Sequence, residues 1–265
     1  MADEVVLVDV AERVAVITIN RPDQRNALNR AVRSALPAAI ARCDDDVDVD
    51  VMILTGADPA FSAGVDLKEF GSGQVTQGES FGGVAETRDA FRGALPAHTK
   101  PLIGAVNGVA VTGGFEVALN CDFLIASDRA RFADTHSRVG VMPGWGLTVL
   151  LAQRIGVARA KQMSFTGNYL DAPTALAWGL VNEVVPHDDL LPYCRKLAAD
   201  IVSNDQMGVR RMLRTYDEVT ATTVDEGWEI EARVSREWEG PGFDPASIES
   251  RRMRIVERGR SQINP

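Results

Sequence analysis

The sequence predicts an α/β fold followed by a helical C-terminal region, and three observations carry that expectation. Short apolar runs recur as "VMILTG" (51–56), "PLIGAVNG" (101–108) and "FLIASD" (123–128). Longer stretches with helical periodicity separate them. After "GLVNEVV" (179–185) the pattern is mainly helical to the end. Continuous apolar runs of this length suit strands buried on both faces, with helices packed over them. With 265 residues, 45% of them apolar, the chain fits one large domain or a domain with an appendage. We expect a core over residues 1–200 and a helical region over 201–265.

The elements follow in order. "VVLVDV" (5–10) and "RVAVITIN" (13–20) are β-branched, lie close together and read as a hairpin. "RPDQRNALN" is a polar loop. Residues 27–43 read as an amphipathic helix that Pro37 kinks or breaks. "DDDVDVD" is an exposed acidic linker before the strand at 51–56. "ADPAFSAGVDLKEF" (57–70) is a loop entering a helix, and the Gly- and Ser-rich stretch 71–83 reads as mobile. A helix is expected over 86–98, a strand over 101–108, then a helix within 109–122. Residues 147–167 read as helical with a break near Gly156. In the tail, Asp244 is a candidate N-cap and Pro245 the first residue of a last helix.

The net charge of −9 argues against non-specific nucleic-acid binding, which needs a broad cationic surface. It leaves room for an anionic small molecule held by local arginines and helix N-termini. Cys43, Cys121 and Cys194 are far apart and form no metal-binding spacing, so a reducing, cytoplasmic setting is expected. The N-terminus "MADEVVLVDV" has acids where a signal peptide would have bases. No apolar run approaches the roughly 20 residues that span a bilayer, so no membrane role is expected.

Two stretches carry chemistry. In "SAGVDLKEF", Ser62, Ala63 and Gly64 are small enough for a ligand to approach the backbone. The Val65 N–H would lie near the start of the next helix. An ordinary strand–loop–helix connection would look the same. In "NGVAVTGGFEVALNCD" (107–122), Thr112 is a candidate N-cap, and Gly113 and Gly114 occupy the first helical turn. Each glycine there costs roughly 0.5–1 kcal/mol against Ala, which points to a need for close backbone approach. Free N–H groups and the positive end of the dipole suit an anion or a developing oxyanion. Glu116 lies three residues after Gly113 on the same face, where it could serve as a base. It could equally be a Glu favoured by the helix dipole, although the apolar "VALN" beside it suggests that it points inward.

These stretches, "FSAGVDLKEF" and "VNGVAVTGGFEVALNCDFLIASDRARF", resemble the two signature segments of the crotonase superfamily, the enoyl-CoA hydratase/isomerase family. "INRPDQRNALN" and "GLVNEVVP" resemble further landmarks, so the likeness runs in order over residues 5–200. Within the family it is closest to bacterial enoyl-CoA hydratase-like proteins. The resemblance implies a spiral of ββα units, a helical C-terminal trimerisation region, and a homotrimer or dimer of trimers. It implies an acyl-CoA substrate whose thioester oxygen sits between the N–H groups of Val65 and Gly113, with Gly114 beside them and Glu116 catalytic. CoA would pass Arg25, Ala27, Ala63, Asp66 and Leu67, with Lys68 a less certain phosphate partner. CoA would arrive as part of the substrate, with no other cofactor and no metal.

The sequence also departs from the family. Typical hydratases use a second glutamate in an "FGxPE" segment; here the segment is "FADTH", and His136 takes its place. Trp145 stands where a small residue is usual in the following turn, "MPGWGL", either as a wall limiting the acyl group or as a core aromatic. Several functions stay open for His136. A neutral ring could orient water as a base. Glu116 alone could run one-base chemistry such as double-bond isomerisation. The scaffold could decarboxylate, hydrolyse thioesters or only bind acyl-CoA. His136 could also be an ordinary loop histidine. Asp134, two residues away, could orient His136 or act as an acid. The arginines of "IESRRMRIVERGR" are either a solvated face or a site for the CoA 3′-phosphate.

Overall fold

The computed structural model describes residues 4–66, 68–69, 93–238 and 245–263. The expected mobile stretch 71–83, Leu67, most of the helix expected over 86–98 and the candidate cap Asp244 lie outside them. The chain divides into two compact units, Met1–Asn204 and Asp205–Pro265.

In the first unit the apolar runs form the strands they predict. β1 (Val6–Ala11) and β2 (Val14–Ile19) are an antiparallel hairpin. β3 (Val51–Gly56) pairs parallel to β2, and β5 (Leu102–Val106) pairs parallel to β3. β7 (Phe123–Ser127) and β10 (Glu183–Val185) continue the sheet, giving the order β1-β2-β3-β5-β7-β10. Side chains alternate across it. Ile17, Met52, Leu54, Leu102, Val106 and Leu124 enter one cluster, while Val16, Val51, Ile53, Ile103 and Ile125 enter another on the opposite face. Both faces are therefore covered, which is why these strands read as unbroken apolar runs.

Four shorter strands were not expected: β4 (Ala60–Ser62), β6 (Val109–Val111), β8 (Arg131–Ala133) and β9 (Leu170–Asp171). They form a second sheet in the order β4-β6-β8-β9. From β3 to β8, successive strand pairs thus give one strand to each sheet. Then comes a helix: α1 (Arg30–Asp45) after the hairpin, α2 (Gly113–Leu119) after β6, and α3 (His136–Val139) after β8. β4, β6 and β8 are mutually parallel, so their C-terminal ends exit side by side. In parallel α/β sheets this end is where ligands gather.

The helices depart from expectation in three places. α1 begins at Arg30, because the Asn29 side chain accepts from the Val32 N–H at 3.0 Å. It also runs uninterrupted through Pro37. Burial of Val32, Leu36, Ala39, Ile40 and Cys43 along one face offsets the hydrogen bond that proline removes. Residues 93–95 form bends rather than helix, as suits a segment leading into Pro96. The break near Gly156 is present: α4 (Leu147–Ile155) and α5 (Val157–Thr166) flank it, and Gly156 has φ +80°. α6 (Ala172–Trp178) and α7 (Leu190–Val202) complete the unit; α7 packs Leu190, Cys194 and Ala198 on the second cluster.

The second unit holds α8 (Gln206–Thr220), α9 (Val224–Trp238) and α10 (Pro245–Ile263). Arg233 binds Glu218 at 2.9 Å and Arg211 binds Glu237 at 3.1 Å, tying α8 to α9. A groove between them is lined by Met212, Tyr216, Val219, Val234 and Trp238. In the arginine-rich tail, Arg251 pairs with Asp205 and Arg252 with Glu249. Among the described residues, no helix is long and apolar enough to cross a membrane.

Candidate functional site

The second sheet brings the two chemical stretches together. Gly64 follows β4 with φ +90°, and a Cβ there would lie 2.7 Å from the Val111 carbonyl oxygen. Only glycine permits that approach, and it seats Val65 beside Gly113: a Cβ on Gly113 would lie 3.2 Å from Val65 Cγ2. Leu28 and Val65 form an isolated parallel bridge, in which Leu28 N–H donates to Gly64 O and Asp66 N–H to Leu28 O. The Val65 N–H faces the other way. Among the described residues, neither it nor the Gly113 N–H donates to a backbone acceptor. Gly113 opens α2, where N–H groups have no intrahelical partner.

Gly114 serves packing instead. A Cβ there would lie 2.5 Å from the Ser62 carbonyl oxygen, so α2 rests directly on β4. Gly114→Ala is expected to destabilise the protein by about 1–3 kcal/mol, read as a lower urea midpoint with an unchanged slope.

Glu116 is 1% exposed and points inward. Its Oε1 accepts from the main-chain N–H of Trp145 at 2.7 Å and of Leu147 at 3.3 Å. Its Oε2 lies 3.5 Å from His136 Nε2. His136 is not a loop residue: it begins α3 and is 6% exposed. Its Nδ1 lies 2.6 Å from Asp134 Oδ1, which also accepts the His136 main-chain N–H at 3.1 Å. Asp134 thus orients the ring, one of the alternatives open from sequence. Burial opposes the charged ring, but the bonds to Asp134 and Glu116 outweigh it and push the His136 pKa up to about 9. Burial likewise opposes ionisation of Asp134, but its bonds to His136 and Ser164 hold its carboxyl below the usual range. Set between two carboxyl groups, the ring is thereby favoured as a cation over the neutral base that was one of the alternatives open from sequence.

The Trp145 ring packs against Gly113. A Cβ on Gly113 would come 2.7 Å from its Cζ3. Asn120, unforeseen from the sequence, holds the Trp145 loop by donating from Nδ2 to the Glu116 and Trp145 carbonyls at 2.8 and 3.0 Å. Thr112 stands at the N-cap of α2, but its hydroxyl does not cap the helix. Its φ of 52° and ψ of −115° cost a non-glycine residue about 1–3 kcal/mol.

Of the expected CoA-binding residues, Ala63, Asp66 and Lys68 lie close to Val65 in sequence, and Arg25 and Ala27 belong to the loop hydrogen-bonded beside it. Arg25 and Lys68 are exposed, and Ala27 and Ala63 are half-buried. Ala63 N–H donates to the Arg25 carbonyl at 2.9 Å, which fastens the loop. Asp66 is already engaged: Arg21, missed from sequence, reaches it at 3.2 Å and also donates to the Ala27 carbonyl. Leu67 lies outside the described residues. Among those residues, no group of three or more His, Cys, Asp or Glu side chains is arranged to hold a metal ion.

Outward N–H groups beside a buried glutamate and an imidazole suit one class of chemistry. A carbonyl oxygen gains charge while a neighbouring carbon exchanges a proton. The family model described as enoyl-CoA hydratase/isomerase matches residues 9–241, and the chain belongs to that family. It is 38% identical over 236 residues to the probable enoyl-CoA hydratase echA8 of Mycobacterium bovis, covering 88% of this chain and 89% of that protein. It is 36% identical to the crotonyl-CoA hydratase of Syntrophomonas wolfei, with 88% of each covered. A crystal structure of enoyl-CoA hydratase from Mycobacterium tuberculosis H37Rv superposes with TM-score 0.74 at 49% identity, covering 88% of this chain and 98% of that one. The spiral of ββα units is therefore the crotonase fold expected from the sequence.

Proposed function

We propose that this protein is an enoyl-CoA hydratase-type lyase, and that a histidine cation replaces the second glutamate. The supporting observation is the His136 ring, bonded to Asp134 and facing at 3.5 Å the Glu116 carboxyl, which lies one helical turn beyond Gly113. The thioester oxygen of a 2-enoyl-CoA binds those two N–H groups, which stabilise the enolate as charge moves onto it. Water adds to the β-carbon and gives its proton to Glu116. The His136 imidazolium delivers a proton to the α-carbon and becomes neutral. Transfer from Glu116 to His136, across their direct contact, restores both groups. Water has then added across the double bond, with no net change in the protein.

CoA runs past Arg25, Ala27, Ala63, Asp66, Leu67 and Lys68, with Arg25 and Lys68 as phosphate partners. Asp66 fixes this wall through Arg21. CoA comes with the substrate, and the chemistry asks for no other cofactor. The setting is cytoplasmic, which suits three buried free thiols. Assembly is a homotrimer or dimer of trimers through 201–265, a region whose Met212, Tyr216 and Trp228 present apolar surface.

The test is hydration of crotonyl-CoA by the purified protein. Hydration supports this reading. Its absence, with conversion of a 3-enoyl-CoA to its 2-enoyl isomer, would favour one-base chemistry through Glu116. Trp145 is taken as the wall of the acyl site. Trp145→Gly is expected to raise kcat/KM for longer enoyl chains relative to crotonyl-CoA by about tenfold or more. The main-chain N–H on Glu116 survives in that variant, so crotonyl-CoA hydration itself continues.

A further inference from the structure

We propose that the hydroxyl pair Thr112–Thr135 is a positioning device that locks the Gly113 wall of the site against the His136 wall. The proposal rests on the hydratase reading. β6 and β8 pair through Val111 and Ala133, and Thr112 N–H still donates to the Ala133 carbonyl at 2.9 Å. Beyond that point the two chains leave the sheet. One enters α2 with Gly113 and Glu116; the other enters α3 with His136. The sheet no longer fixes their separation there, yet proton transfer needs it fixed.

The two hydroxyls bridge this gap by bonding to each other. Each belongs to a residue at a helix N-cap, and neither bonds to its own helix. A threonine at that position ordinarily turns its oxygen onto a first-turn N–H. Both forgo that bond. For Thr112 the consequence is direct: its hydroxyl does not compete for the first-turn N–H groups of α2, one of which belongs to Gly113. Thr112 also holds a backbone conformation that glycine adopts more readily, φ 52° and ψ −115°. A β-branched residue in that conformation needs a compensating role, and the hydroxyl bridge to the His136 wall supplies one.

The test compares Thr112→Val, Thr112→Gly, Thr112→Ser and Thr135→Val with wild type. Three quantities are read: kcat and KM for crotonyl-CoA, Tm, and near-ultraviolet absorption of the enolate formed by bound acetoacetyl-CoA. Thr112→Val and Thr135→Val are each expected to lower kcat about 10- to 100-fold, with KM within about twofold. The double Val variant should lose little more than either single one. Thr112→Ser keeps the hydroxyl and should retain most of the rate. Thr112→Gly relieves the backbone and should keep Tm at or above wild type, while kcat falls as in Thr112→Val. That split separates positioning from structural support.

Wild-type hydration with Val variants at full rate would overturn the clamp alone. So would rate losses that track Tm losses in every variant, including Thr112→Gly. A wild type showing neither hydration nor the enolate band would overturn the functional reading and the clamp with it.

Discussion

Glu116→Gln is expected to lower kcat for crotonyl-CoA hydration by about 10²- to 10⁴-fold, the usual range for loss of a positioned base. The substitution is close to isosteric. Its amide oxygen can still accept from the Trp145 and Leu147 N–H groups that hold Glu116 Oε1. Its NH₂ then faces His136 Nε2, where Oε2 now stands at 3.5 Å. Two donors meet and the proton acceptor is gone. KM should change little, because CoA and the N–H groups of Val65 and Gly113 are untouched. Stopped-flow or steady-state loss of the enoyl absorbance gives the rate, and a thermal melt shows whether the fold survives.

His136→Gln is expected to cost a similar factor, about 10²- to 10⁴-fold in kcat, for the opposite reason: it removes a proton donor. Gln is preferable to Ala, because its NH₂ can still donate to the buried Asp134 carboxylate, whereas truncation removes the side-chain donor as well as the charge and would destabilise the protein by about 3–5 kcal/mol. The same cation has a stability signature. The folded His136 pKa, about 9, lies above the ordinary imidazole value of 6.5. Its contribution is therefore fully present below pH 6.5 and is lost as pH rises towards 9. Asp134 has the opposite sign: its folded pKa lies below 3.8, so its contribution is present above that value and lost on acidification. Wild-type Tm should fall between pH 6.5 and 9 more steeply than that of His136→Gln.

How much was legible follows from the range of the interactions. The central strands declared themselves, because a strand buried on both faces writes a continuous apolar run, as "VMILTG" does. The second sheet did not. Strands of two or three residues carry no periodicity, and their pairing joins segments far apart in sequence, such as Val109 with Arg131. Glu116 was legible because its relation to Gly113 is local to one helical turn. The place of His136 was legible from the family pattern, but its charge was not. That charge depends on Asp134 and on Glu116, twenty residues away, meeting around one ring. Asp66, expected beside CoA, is held by Arg21, forty-five positions distant. Thr112 looked like a helix cap, and only the approach of Thr135 reveals its other partner.

The most direct test of a cationic His136 is the pH dependence of kcat for crotonyl-CoA hydration, compared between wild type and His136→Gln. If the imidazolium donates the proton, wild-type kcat falls as pH passes about 9, and the variant, already slow, lacks that limb. A wild-type rate that climbs through the same range would mean that the neutral ring acts as the base. An alkaline limb that persists in His136→Gln would assign it to another group.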